Sequence, residues 1–202
     1  MEIPFAGLDA KTCYKMMVAL VIPRPIAFVS TWSANGVANC APYSFFNVMS
    51  QEPPLLAINI GTLEDGSPKH TAKNIRRTGE YVINLVDEAT ANGMHVASGE
   101  FREDESEFDK AGFTPVPATV VKHPRIAESP ASFECRLWKR IELPNGREIV
   151  IGEIIHLHAK DGLVDLATHR INDDAYRPVG RLYANRYCTT RQRFTLPGRL
   201  PE

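Results

Sequence analysis

The sequence predicts a mainly β protein with helical decorations, closed as a barrel and not layered as an α/β sheet. Three observations predict it. Short apolar runs recur along the chain, separated by Pro, Gly and Asn-rich turns. Two longer β-type runs, 132–143 and 148–159, flank Pro144-Asn145-Gly146, a strong hairpin signal. Helical patterns are few and short, and they decorate the strands without alternating regularly with them.

Taken in order, Asp9 is suited to cap a first helix, in which Tyr14, Met17, Val18 and Val21 recur at helical spacing. Pro23 and Pro25 stop it. Ile26 to Val29 then reads as a strand ending at the hydroxyls of Ser30 and Thr31. An Asn35-Gly36 turn follows. A second segment ends in the aromatic and hydroxyl-rich corner Ala41-Pro42-Tyr43-Ser44-Phe45-Phe46-Asn47. After Pro53-Pro54, Leu55 to Ile60 is a near-continuous apolar run, suited to a strand buried on both faces.

Gly61 to Pro68 is a polar loop, and His70 to Arg77 a short helix with Gly79 near its stop. Tyr81 to Leu85 is a strand and Glu88 to Ser98 a helix. Six of the ten residues from Glu100 to Asp109 are acidic. Ser106 and Asp109 have capping-box spacing before a short helix that Gly112 ends, so the run reads as a solvated helix start. The end of the chain is basic, with Arg186, Arg191, Arg193 and Arg199.

At 202 residues the chain fits one domain, 1–202, able to bury about two-thirds of its unfolded surface. The formal net charge is −1, which gives no bulk electrostatic case for nucleic acid or an anionic membrane. The basic end lacks the interleaved aromatics of a single-strand binder. No apolar run is long enough to span a bilayer, and no leader is read at the start. Cys13, Cys40, Cys135 and Cys188 are scattered with no CxxC pair. Reduced thiols and a cytoplasmic location are therefore expected.

No GxGxxG or GxxxxGK[ST] occurs, so a nucleotide would need another cradle. Loop amides, hydroxyls, a lysine and a helix start can converge on a phosphate. Ser30 and Thr31 offer hydroxyls, and Lys69, His70 and Thr71 stand where a loop becomes a helix. The competing reading of the latter is a simple cap with an exposed lysine. Ala41 to Phe46 could edge a flat ring, with Trp32 as a stacking candidate; core packing is the competing reading for these aromatics. His156 and His158 face the same way on a strand. No cysteine or carboxylate stands at a telling spacing beside them, so they read as edge or interface histidines and no metal is expected. Cys135 reads as a small buried hydrophobe. No acid–base dyad is evident, so no catalytic side chain is named.

The chain resembles the flavin reductase-like FMN-binding family. The likeness runs from about Val21 to Tyr187. It is carried by Arg24 to Thr31, Asn39 to Asn47, Pro53-Pro54-Leu55, Lys69-His70-Thr71, Gly79 to Asn84, Phe108 to Gly112, Ile126 to Pro130, Gly152-Glu153-Ile154 and Pro178 to Arg181. The resemblance implies a split β-barrel with a core of about 21–187 and a tail of 188–202. It implies a homodimer with FMN near the subunit interface. Ser30, Thr31, Lys69, His70 and Thr71 would lie near the phosphate and ribityl chain. Trp32 and the run Ala41, Pro42, Tyr43, Ser44, Phe45 and Asn47 would lie near the flavin. The Pro178 to Tyr183 segment, with Arg181, is expected to approach the ring from the partner subunit. Where many relatives carry an acid, this chain has His70. The implied activity is hydride transfer from NADH or NADPH to flavin, with a monooxygenase or electron-transfer partner. An FMN-containing electron carrier without nicotinamide turnover is the alternative.

Overall fold

The computed structural model describes residues 1–198; the expected basic position Arg199 lies outside them. A first helix, α1 (Ala10–Leu20), is capped by Asp9, whose carboxylate accepts from the Lys11 and Thr12 amides. Six strands and a helix build much of the body: β1 (Ala27–Trp32), β2 (Ala38–Tyr43), β3 (Phe46–Gln51), β4 (Pro54–Ile60), α2 (His70–Thr78) and β5 (Glu80–Leu85), with β8 (Ala131–Glu142) below. Two short helices, α3 (Ala91–Val96) and α4 (Glu107–Ala111), precede β6 (Pro115–Val116) and β7 (Arg125–Ile126). Then come β8, β9 (Glu148–Ala159), β10 (Val179–Arg181) and β11 (Tyr187–Thr189).

One seven-stranded antiparallel sheet runs in the order β2-β1-β5-β8-β9-β4-β3. Its two end strands, β2 and β3, are consecutive in the chain and joined through Ser44 and Phe45, so this corner closes the wrap. The Phe45 carbonyl accepts from the Asn59 amide at 2.8 Å. One core fills the inside with Ala27, Val29, Leu56, Ile58, Tyr81, Ile83 and Val150. A second lies between the sheet's other face and the small helices, with Phe28, Cys40, Met94, Phe108, Phe113 and Ile126. Alternate residues of β1 thus enter different cores, which is why its sequence is apolar without a break.

The predicted hairpin is present. Asn145 and Gly146 take left-handed backbone (φ 63° and 72°) between β8 and β9. α2 ends at Gly79, also left-handed at φ 69°. Other expectations change. Phe46 and Asn47, read as the end of a ligand corner, begin the edge strand β3, Phe46–Gln51. The helix expected over 88–98 shortens to Ala91–Val96, because Asp87 and Thr90 exchange side-chain-to-amide bonds that hold the preceding turn. Ser106 precedes α4 but makes no capping bond; its hydroxyl donates to the Ala38 carbonyl at 2.9 Å and ties α4 to β2. The acidic run is mostly exposed, but Glu107 is only 6% exposed. The α1 stripe is largely uncovered: Val18 is buried, whereas Tyr14, Met17 and Val21 are exposed.

Candidate functional site

A cavity of about 830 Å³ opens beside the β2–β3 corner, within the usual range for small-molecule sites. Tyr14, Lys15 and Val18 of α1 form one side; Pro42 and Ser44 form another; Arg181, Leu182 and Tyr183 close a third. Its charged lining is Lys15, Arg24, Lys69 and Arg181, with no carboxylate. In a chain of net charge −1, that concentration of cations favours an anionic ligand.

Arg24 is a structural cation as well as a wall. It is 8% exposed, and its guanidinium donates to the carbonyls of Val18 (2.6 Å), Val21 (2.8 Å) and Leu182 (2.5 Å). It thereby joins the end of α1 to the segment after β10. The backbones of Arg24 and Arg181 exchange two further bonds. Arg181 lies over the Tyr187 ring at 4.6 Å and donates to the Tyr187 hydroxyl and the Ala184 carbonyl. The Pro178 to Tyr183 segment therefore reaches the cavity of its own chain.

A smaller cavity of about 70 Å³ adjoins the first, sharing Pro42, Lys69 and Ser98. Asn39, Ala41, Tyr43, His70, Thr71 and Glu107 line it. Here the first turn of α2 presents amides without helical partners. Lys69 precedes the helix without capping it by its side chain, and it lines both cavities. Burial holds the His70 imidazole below its ordinary pKa. The Asn39 amide donates to the hydroxyls of Thr31 (3.3 Å) and Thr71 (3.1 Å), and the Asn74 amide donates to Thr31 at 3.0 Å. This buried network fixes the start of α2 against β1 and β2.

The fold thus gathers Ala41, Pro42, Tyr43, Ser44, Lys69, His70, Thr71 and Arg181, with Thr31 behind them. Phe45 stands beside the group, its ring 6.4 Å from Tyr14 and 6.0 Å from the Arg24 guanidinium. Three candidates are not brought to it. Ser30 is fully buried on the other side of β1, donating to the Pro124 carbonyl at 2.5 Å and accepting from Asn84. Trp32 packs on the second core, and its amide donates to His123. Asn47 is exposed on β3 and accepts from the Val48 amide.

Residues 18–180 match the family profile of the flavin reductase like domain. The chain belongs to the flavin reductase-like family. Among the solved structures that this flavin reductase-like chain is similar to are the following three. One is the 2-nitrobenzoate 2-nitroreductase of Pseudomonas fluorescens, 36% identical, with a TM-score of 0.88 over 100% of this chain and 99% of that one. Another is nitrilotriacetate monooxygenase component B from Bacillus cereus, 29% identical with a TM-score of 0.91, covering 97% and 98%. The third, from Shewanella frigidimarina NCIMB 400, is described as a flavin reductase with a split barrel domain. It is 28% identical with a TM-score of 0.82, covering 96% and 95%. The fold is accordingly a split β-barrel.

Among the cavity-wall residues that sequence reasoning missed are Arg24, Asn39, Ser98 and Glu107. Glu107 was hidden inside an acidic run whose other members face water. A further group emerged on β8 and β9, where Glu134 pairs across the strands with His156 and bonds His158 at 2.5 Å. The three could approach one ion. The strand pairing, which chain spacing does not reveal, brings this carboxylate beside the two histidines. The Glu134 oxygens also accept from the Thr119, Val120 and Val121 amides, each at 2.7 Å. With four donors its acceptor capacity is filled, and it acts as the anchor of the 119–121 loop.

Proposed function

We propose that this protein binds FMN across the two joined cavities and reduces it with NADH or NADPH. The observation that carries the reading is the adjacency of an anion cradle and a ring-sized slot. Lys69 and the first turn of α2 stand at the small cavity. The Ala41 to Ser44 backbone and the apolar side chains of Val18, Ile26 and Met94 line the way into the large one. The residues present fit the group. The large cavity is cationic, and in the small one the Tyr43 hydroxyl and one Glu107 oxygen are buried without a partner, as expected of a site that a polar ligand completes.

In this reading the Lys69 ammonium and the amides of His70 and Thr71 hold the phosphate, while Asn39 and Asn74 keep Thr71 and Thr31 in place. Pro42 has no amide to offer a ring edge, so Tyr43 and Ser44 supply the backbone donors. The bound flavin would supply the redox chemistry, accepting a hydride from the nicotinamide and passing electrons onward. The protein's task is to position two rings and exclude water between them. The likeness to a monooxygenase component B supports a partner monooxygenase as acceptor.

A homodimer belongs to the same proposal. Tyr14, Met17, Leu20 and Val21 on α1, with Phe45, Val48 and Met49 after the corner, are exposed beside the large cavity. A second copy covering them would also wall the cavity. A cytoplasmic setting is supported by four free cysteines; among the described residues no helix is long and apolar enough to cross a membrane.

Anaerobic titration of the FMN-loaded protein tests the reading. NADH or NADPH should bleach the flavin's visible absorption. No bleaching with either, but bleaching by a reduced protein donor, would replace it with the electron-carrier reading. Protein that takes up no FMN would sink both.

A further inference from the structure

Three glutamates are buried among the described residues: Glu107, Glu134 and Glu148. Two are fully accounted for. Glu148 is paired with Arg76 and Arg140, and Glu134 accepts from His158 and three amides. Glu107 has no such company. It is only 6% exposed, and among the described residues it pairs with no cation and its Oε2 has no hydrogen-bond partner. An unpaired carboxylate in that position is costly, and the usual escape is to keep the proton.

Its placement is fixed. Phe108 next to it is fully buried in the second core, and Ser106 before it is tied to Ala38. Glu107 is thereby held against the cavity that Lys69, His70, Thr71 and Tyr43 also line. We propose that Glu107 is a protonated hydrogen-bond donor to the phosphate monoester of the bound flavin, and that FMN affinity falls as it ionises. The inference rests on the FMN reading above and names a positioning residue for its phosphate. A neutral carboxylic acid is one of few side chains that can donate to a phosphate at pH 7 and withdraw the bond at higher pH.

The surroundings agree. The groups facing Glu107 are Cys40 and Tyr43 on β2, Lys69 and His70 at the start of α2, and Glu100 on the loop before α4. Lys73 is held away by Glu103, and Lys110 by Glu105, so neither neutralises the site. Burial raises the Glu107 pKa to about 7, against the pull of its own amide and that of Cys40. Ionisation would place a third negative charge beside a phosphate dianion, with Lys69 the one lysine lining that cavity.

The test compares FMN and riboflavin binding by wild type and Glu107→Gln from pH 6 to 8.5, by flavin fluorescence quenching. The flavin phosphate titrates identically for both proteins, so the ratio of their dissociation constants isolates Glu107. Above pH 7 the wild-type constant for FMN should rise about tenfold per pH unit relative to Glu107→Gln, whose amide donates at every pH. Riboflavin, without phosphate, should show no such divergence. Parallel FMN curves for the two proteins would overturn the inference while leaving FMN binding intact. Loss of FMN binding by wild type at every pH would overturn both readings. Should Glu107→Gln not fold, calorimetry of wild type at pH 8 in buffers of different ionisation enthalpy decides. Uptake of close to one proton with FMN and none with riboflavin supports the role; no uptake with FMN refutes it.

Discussion

Lys69 and His123 show two ways in which one side chain acquires a role. Lys69 stands at the junction of both cavities. Replacing it with alanine should raise the FMN dissociation constant roughly 10- to 100-fold, the loss of one charge-assisted bond; an unchanged constant removes Lys69 from the site. His123 is 2% exposed. Its Nδ1 accepts from the Trp32 amide at 2.8 Å, and its Nε2 meets the Thr78 hydroxyl at 2.8 Å. Burial lowers its pKa to about 4, below the unfolded value, so stability is lost as pH falls from about 6.5 to 4. Glu107, with a folded pKa raised to about 7, has the opposite sign: stability is lost as pH rises from about 4.5 to 7. The two offset each other between about pH 4.5 and 6.5. Glu134 is opposed by burial but held down to about 2 by His158 and three amides; its contribution is lost below about pH 4.5. Urea midpoints of wild type should therefore be nearly flat from pH 6.5 to 4.5 and fall below that. Glu107→Gln, freed of the offset, should lose stability over the whole descent; profiles that run parallel over this window would contradict the assignment.

The elements depend on close approaches that single residues permit. Gly152 on β9 faces the Tyr81 ring on β5, and a Cβ there would stand 2.0 Å from the Tyr81 hydroxyl and 2.7 Å from its ring. Tyr81 is fully buried and its hydroxyl has no partner, so it has nowhere to move. Gly152→Ala should cost about 1–3 kcal/mol by overpacking. Tyr81→Phe should recover part of that loss and be nearly neutral alone, since it removes an unsatisfied hydroxyl. Denaturation of the two single variants and the double variant measures this; strictly additive effects would show that the two sites do not meet. Element boundaries were legible where one local rule decides them. The Asp9 cap, the Gly79 stop and the Asn145-Gly146 turn are all where sequence reasoning puts them. β3 was not legible, because Val48 and Met49 point outward on an edge strand and leave no buried-face pattern to read.

At the scale of the molecule, the uncovered apolar surface is the main unresolved energy. Leu20 is 79% exposed and Val48 67%, and large exposed apolar areas mark interaction surfaces. The proposed dimer predicts that Met17→Glu with Val48→Glu lowers the sedimentation coefficient from that of a dimer to that of a monomer. FMN binding should weaken in parallel if the partner walls the cavity. A wild-type monomer at micromolar concentration would sink the proposal.

By itself the sequence determined the strands of the large sheet other than β3, the hairpin turn between β8 and β9 and the members of the corner at 41–45, since strand period and left-handed turn residues act within a few positions. It also brought Lys69, His70 and Thr71 forward as a cradle. Only the tertiary structure decided which of these share a cavity. It turned Ser30 and Trp32 to the face of β1 away from the cavity, brought Arg24 and Arg181 to one wall, joined Glu134 to His158, and buried Glu107 with one oxygen unpaired. The reason is physical. Local conformation depends on neighbours in the chain, whereas burial, and with it the charge a group carries, depends on atoms that the chain brings together from far apart.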